Sequence, residues 1–221
     1  MQTWIKFCGT TSLADALASV DAGAEALGFI FAPSKRQITP DRAQEIIREL
    51  PENIERVGVF VDESEDTILG IVQTAGLTMV QLHGNESPEL VARLRSHPVA
   101  GRKLRVIKTV LVRGDFHLEL EKFINAAAPP DAILLDSGAG SGRTFDWRGV
   151  RPFLTGTDMR FIVAGGLDPT NVNGALRMFR PFGVDVVSGV EGAPGSKDPE
   201  KLKAFVAAVR NAEKEPWAAQ H

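Results

Sequence analysis

The chain has 221 residues, of which 43% are hydrophobic and 24% charged, and its formal net charge is −3. This composition is typical of a soluble globular protein and gives no general attraction to nucleic acid or to an anionic membrane. A single cysteine excludes an intramolecular disulfide and a cysteine-rich metal cluster. No apolar run approaches the roughly 20 residues that span a bilayer, and no signal-peptide pattern opens the chain, so we expect a cytoplasmic protein.

Eight short β-rich segments recur along the chain, and most are continuous apolar runs, as in parallel strands covered on both faces. In chain order they are 3–8, 26–31, 56–61, 79–84, 105–110, 132–137, 161–166 and 184–189. Segments with helical spacing separate them. The first places Leu13, Leu17 and Val20 on one stripe, with Ser12 as the N-cap. The helix between strands six and seven has the weakest pattern.

Alternation of eight strands with helices predicts an α/β fold, a single (β/α)8 TIM barrel with parallel strands inside surrounding helices. An open doubly wound sheet is the alternative. That fold usually has a glycine-rich turn after its first strand, whereas "CGTTS" contains one glycine. We expect the barrel to cover residues 1–212 and a C-terminal tail to cover 213–221.

The C-terminal ends of the strands are where a barrel of this type places its site. Predicted strands one, four and six end at Cys8, His83 and Asp136, and Lys108 lies near the end of strand five. A thiol and a carboxyl at one mouth could act as base and acid. Lys6, on the same strand face as Cys8, could supply positive potential or form an ion pair inside the barrel. The alternatives are packing for Cys8, loop capping for Asp136 and a rim hydrogen bond for His83.

Glycine-rich endings distinguish strands seven and eight. Backbone N–H groups of Gly165, Gly166, Ser188 and Gly189 could bind an anion there, which predicts a phosphate site. Glycines that only form tight turns are the alternative. Because no Walker or GxGxxG motif is present, the ligand is predicted to be a phosphorylated metabolite rather than a nucleotide.

The loop "PSKRQITP" follows strand two and carries Arg36, which could reach a carboxylate of the substrate. A solvated loop arginine is the alternative. The histidines form no cluster in the sequence that would indicate a metal site, and we predict neither a metal nor a cofactor.

Nine segments, in this order and spacing, resemble the phosphoribosylanthranilate isomerase family of tryptophan biosynthesis: "IKFCG", "AEALGFIF", "SKRQITP", "RVGVFVDE", "VQLHG", "LLDS", "GSGRTFDW", "AGGLDPTNV" and "VDVVSGVEGAPGSKD". The resemblance implies an Amadori rearrangement of N-(5-phosphoribosyl)anthranilate to 1-(2-carboxyphenylamino)-1-deoxyribulose 5-phosphate. One departure is Arg143, where the family often has lysine.

The same resemblance implies a role for each site residue. Cys8 is expected to be the general base and Asp136 the general acid, with the pKa of Cys8 lowered and that of Asp136 raised. Arg36 and Asp185 are expected to bind substrate, and the glycine endings its phosphate. His83, chosen for its position at the end of a strand, is also expected to bind substrate. The expected partner is a phosphorylated small molecule, with no nucleic acid or membrane, and the protein is expected to be a monomer or homodimer.

Two other functions remain open from the residues. One is a related phosphosugar aminoaldose isomerase of the same fold, whose chemistry uses two aspartates, so that Cys8 argues against it. The other is a non-catalytic barrel that binds a phosphorylated ligand, although a candidate acid, base and anion site are all present.

Overall fold

The computed structural model describes residues 2–99, 101–138 and 147–214, without the side chains of 147 and 148. Eight parallel strands form a barrel: β1 (Trp4–Cys8), β2 (Ala26–Ile30), β3 (Glu55–Phe60), β4 (Met79–Leu82), β5 (Arg105–Leu111), β6 (Ala132–Asp136), β7 (Phe161–Val163) and β8 (Gly183–Val186). Each strand pairs with its sequence neighbours, and β1 pairs with β8, so the barrel is closed. The predicted (β/α)8 barrel is confirmed, and closure excludes the open sheet.

Helices follow the strands and cover the outside of the barrel. They are α1 (Leu13–Ala22), α2 (Pro40–Ile47), α3 (Glu65–Ala75), α4 (Pro88–Ser96), α5 (Phe116–Ile124), α6 (Trp147–Val150), α7 (Val172–Phe179) and α8 (Pro199–Lys214). The first four begin where the side chains of Ser12, Thr39, Ser64 and Ser87 accept a hydrogen bond from a first-turn amide. The segment predicted to have the weakest helix forms one short turn, α6, followed by a 3-10 turn, Arg151–Leu154.

Two short antiparallel hairpins were not predicted. One pairs Pro98–Val99 with Arg102–Lys103, and the other pairs Glu191–Ala193 with Ser196–Lys197. The second hairpin follows β8 and a 3-10 turn at Ser188–Val190. Helix α8 extends to Lys214, and residues 215–221 lie outside the described part of the chain. Among the described helices, none is both long and apolar enough to cross a membrane.

Small and medium-sized apolar side chains fill the barrel interior toward the N-terminal ends of the strands, because alternate residues of each strand point inward. They are Ala26, Val57, Met79, Ile107, Ala132, Leu134, Ile162 and Ala164. Trp4 and Phe182 stack at the N-terminal end, with ring centroids 5.9 Å apart. Above this layer the interior becomes polar, with Lys6, Gln81 and Asp185 buried. The polar end of the barrel is therefore the C-terminal end.

The expectation that Lys108 lies at this mouth is wrong. Strand β5 continues to Leu111, and Ile107 belongs to the interior layer, so Lys108 points to the helix side of the strand. There its ammonium lies 3.0 Å from a carboxylate oxygen of Glu86 and 5.5 Å from the ring centroid of Phe123. A shift of one residue along a strand reverses the face on which a side chain lies.

Candidate active site

Cys8 is the last residue of β1 and is 3% exposed. Its neighbour across the sheet is Gly28 on β2. Lys6, fully buried two residues earlier, donates a hydrogen bond of 2.9 Å to Oδ1 of Asp185 on β8, and its positive charge acts on the Cys8 thiol. One ammonium group therefore connects the thiol of the first strand with the carboxylate of the last.

The electrostatics of Cys8 differ from the expectation. Burial raises the pKa of Cys8, and the positive charges of Lys6 and Lys197 only partly oppose this effect, so the predicted lowering is wrong. Burial also disfavours the Lys6 ammonium, but Asp185 and Cys8 more than offset it, and the pKa of Lys6 lies above its ordinary value. Lys6 is therefore a permanent cation beside the thiol, in the ion pair that the sequence offered as one alternative.

Asp136 ends β6 and points into the same mouth. Burial raises the pKa of Asp136, opposed by the Gly138 amide, which donates to Oδ1 at 2.8 Å, and by His83. A raised pKa is the direction expected of a general acid. The hydrogen bond that Asp136 accepts from Gly138 is the loop cap that the sequence offered as an alternative.

His83 follows β4, and its ring lies among polar interior side chains. Nδ1 is 3.3 Å from Nε2 of Gln81 and 3.5 Å from the hydroxyl of Thr109. Burial lowers the pKa of His83, although Asp136 and Asp185 oppose this, so the imidazole is neutral near pH 7. Nε2 is buried and has no hydrogen-bond partner among the described residues. A buried polar atom without a partner is costly unless a ligand or water satisfies it.

Arg36, from the loop after β2, does not extend into solvent. Its Nε donates to Oε1 of Glu191 at 2.7 Å and its Nη2 to Oε2 at 2.5 Å. Lys197 donates to Oε1 of Glu191 at 3.3 Å and to the carbonyl oxygen of Cys8 at 2.6 Å. We call Arg36, Glu191 and Lys197 the Glu191 cluster. Glu191 and Lys197 were not predicted, and the only signal in the sequence was their position as charged residues in the glycine-rich segment after β8.

The loops after β7 and β8 pack directly against each other. A Cβ atom on Gly189 would lie 1.9 Å from the carbonyl oxygen of Leu167, and one on Gly165 would lie 2.4 Å from the hydroxyl of Ser137. Gly165 and Gly166 also have φ values of +84° and +65°. The amides of Gly165, Gly166, Ser188 and Gly189 donate no hydrogen bond within the described residues. The loops thus present unpaired donors close together, as an anion site requires.

Arg143, in the "GSGRTFDW" segment, lies outside the described residues. Within the ranges that the structure describes, no group of three or more histidine, cysteine, aspartate or glutamate side chains could hold a metal ion.

Comparison with known proteins gives consistent matches along nearly the whole chain. The sequence model of the family described as N-(5'phosphoribosyl)anthranilate (PRA) isomerase matches residues 5–208. The N-(5'-phosphoribosyl)anthranilate isomerase of Desulforudis audaxviator is 43% identical over 215 residues, which are 95% of this chain and 99% of that protein. The enzyme of that name from Bacillus cereus is 40% identical over 215 residues, covering 95% of this chain and 100% of that protein.

Solved structures agree with these matches. The phosphoribosyl anthranilate isomerase of Thermotoga maritima superimposes with a TM-score of 0.83 at 41% identity, covering 95% of this chain and 100% of that chain. A phosphoribosyl anthranilate isomerase in complex with reduced 1-(O-carboxyphenylamino)-1-deoxyribulose 5-phosphate gives a TM-score of 0.81 at 41% identity, with the same coverage. Sequence and fold thus agree over the barrel, and the chain belongs to the N-(5'-phosphoribosyl)anthranilate isomerase family.

Proposed function

We propose that this isomerase of tryptophan biosynthesis rearranges N-(5'-phosphoribosyl)anthranilate with Cys8 as the general base and Asp136 as the general acid. The observation that carries the proposal is the mouth of the barrel itself. Strand β1 ends at the Cys8 thiol, which lies beside the buried ammonium of Lys6, and strand β6 of the same closed barrel ends at the Asp136 carboxyl, whose pKa is raised. Acid and base catalysis by two such groups contributes about 10²–10⁴-fold each.

The reaction needs one proton delivered and one removed. Asp136 donates its proton to the ribose ring oxygen, the C1–O bond breaks, and the anthranilate nitrogen forms an iminium with C1. The iminium acidifies the proton on C2. The Cys8 thiolate removes that proton, the freed electron pair forms the C1–C2 double bond, and the C1–N π pair returns to nitrogen. The resulting enolamine tautomerises to the ketone when the C2 hydroxyl loses its proton and C1 gains one. Lys6 lies where it stabilises the thiolate that this step requires.

The two ends of the substrate have chemically matched sites. The product analogue in the related crystal structure carries a phosphate and a carboxyphenyl group. The amides of Gly165, Gly166, Ser188 and Gly189, which have no acceptor within the described ranges, suit the phosphate of the substrate. Arg36 suits the anthranilate carboxylate, because Glu191 uses two of the five N–H groups of the guanidinium and leaves three. His83 offers Nε2, and Asp185 acts on the reaction through Lys6.

A turnover assay tests the assignment. Phosphoribosylanthranilate is generated in situ and the loss of its fluorescence is followed for the native protein, Cys8→Ser and Asp136→Asn. We expect rapid loss with the native protein and a decrease of about 10²–10⁴-fold in kcat for each variant, with unchanged melting temperatures. Near-native turnover of either variant contradicts the role of that residue. Turnover of the corresponding histidine-pathway aminoaldose phosphate, but not of phosphoribosylanthranilate, would favour the related isomerase instead.

A further inference from the structure

We propose that Glu191 and Lys197 are positioning residues, which set the place of the Arg36 guanidinium and of the Cys8 backbone at the mouth of the barrel. The inference rests on the roles proposed above for Cys8 and Arg36. Neither Glu191 nor Lys197 needs to contact the substrate, since each acts through its neighbour.

The Arg36 side chain has one defined orientation because of Glu191. Both carboxylate oxygens of Glu191 accept hydrogen bonds from one edge of the guanidinium, and the Glu191 side chain is only 4% exposed. A bidentate pair of this kind fixes the plane of the guanidinium as well as its position. The edge formed by Nη1 and the second N–H of Nη2 remains available for another carboxylate. Without Glu191, a substrate carboxylate would have to immobilise a long flexible side chain, which lowers affinity.

Lys197 connects the end of β1, the end of β8 and Glu191. Its ammonium is buried and donates to the carbonyl oxygens of Cys8 and Val187, at 2.6 Å and 3.2 Å, and to Glu191. The pairing of β1 with β8 ends at Phe7 and Val186, one residue before these two carbonyls. Lys197 therefore joins the two strands just beyond the last ladder pair and holds the peptide that carries the proposed base.

The tight packing around Gly9 supports a coordinated arrangement. A Cβ atom on Gly9, the residue after Cys8, would lie 2.6 Å from Cδ of Arg36. The Arg36 side chain thus crosses the chain directly behind Cys8, and Glu191 contacts both Arg36 and Lys197. A displacement of about 1 Å at a catalytic group can reduce a rate by about 10²-fold. The Glu191 cluster is built to prevent such a displacement at two groups at once.

Substitutions of Glu191 and of Lys197 should change different kinetic constants. Glu191→Gln keeps the shape but removes the charge, so we expect KM for phosphoribosylanthranilate to rise about tenfold while kcat changes less than about threefold. Lys197→Met removes the donor to Cys8, so we expect kcat to fall at least about tenfold. The matched control is Asp131→Asn, which breaks the bidentate pair of Arg95 and Asp131 before β6, at the opposite end of the barrel. It should lower the melting temperature without raising KM.

A double-mutant cycle decides whether Glu191 acts through Arg36. We expect Glu191→Gln to raise KM in the native background and to add less than about twofold in the Arg36→Lys background. Equal effects of Glu191→Gln in both backgrounds, or an unchanged KM in the native background, overturn the inference even if Lys197→Met fails to fold. If Arg36→Lys itself leaves KM unchanged, the proposed role of Arg36 is wrong, which is a separate result from failure of the cycle.

Discussion

Gly28 and Cys8 face each other across β2 and β1 so closely that a Cβ atom on Gly28 would lie 2.5 Å from the Cys8 sulfur. Real Cβ atoms do not approach a sulfur to this distance. A thiol that points into the mouth at this place therefore requires a neighbour without a side chain. The glycine in "ALGFIF" is part of the architecture of the proposed base, not only of the strand.

Gly28→Ala should displace the thiol. We expect kcat to fall by about 10²-fold and the free energy of unfolding to fall by about 1–3 kcal/mol, because the added methyl group overpacks a buried site. Steady-state kinetics and urea denaturation measure the two effects. The control is Gly70→Ala on the exposed face of α3, where a Cβ would meet no atom within 4 Å. It should keep full activity and stabilise the helix by about 0.5–1 kcal/mol.

The raised pKa values of both Asp136 and Cys8 predict a particular pH profile. The proposed mechanism requires Asp136 to be protonated and Cys8 to be ionised, but the carboxyl titrates at lower pH than the thiol. Above the pKa of Asp136, the protonated fraction of Asp136 falls as fast as the ionised fraction of Cys8 rises. We therefore expect kcat/KM to be flat between the two pKa values and to fall above the pKa of Cys8. A plot of log kcat/KM against pH measures both limits. A profile that keeps rising through the thiol pKa contradicts the assignment.

Lys6 should control the reactivity of the only thiol in the chain. Alkylation by iodoacetamide reports Cys8 alone, since the sequence contains one cysteine. Because burial raises the pKa of Cys8, the midpoint of the rate against pH should lie above the ordinary value of about 8.5. Lys6→Met removes the main opposing charge and should move the midpoint to still higher pH. Phosphate-free buffer and circular dichroism control for anion effects and folding, and an unchanged midpoint rules out this role for Lys6.

The contact between Gly189 and Leu167 allows a test of the proposed phosphate site. Gly189→Ala should separate the loops after β7 and β8, because the new Cβ would collide with the Leu167 carbonyl oxygen. We expect KM to rise by about tenfold or more and inhibition by inorganic phosphate to weaken in parallel. Gly192→Ala is the matched control, since its nearest contact would be at 4.0 Å. Equal phosphate inhibition in both variants would place the anion elsewhere.

Features set by strand order could be predicted from the sequence. Eight apolar runs separated by helical patterns indicate the barrel, and the ends of those runs bring Cys8, His83 and Asp136 to one mouth. Lys108 was misplaced because a run of apolar residues does not show which alternate residues point inward. The pKa of Cys8 depends on burial, which a local pattern does not report. Glu191 and Lys197 escaped prediction because their partners lie far away in sequence, on β1 and after β2.

The hydrogen bond between Lys6 and Asp185 joins residues separated by 179 positions in the chain. Contacts at such a separation form late, because the loop they close is long and its entropy must first be lost. In a folding intermediate with an open half-barrel, Lys6 therefore lies beside Cys8 on β1 but lacks its carboxylate partner Asp185. Recovery of enzymatic activity during refolding should report the docking of the first strand onto the last, and lag behind the recovery of helical circular dichroism.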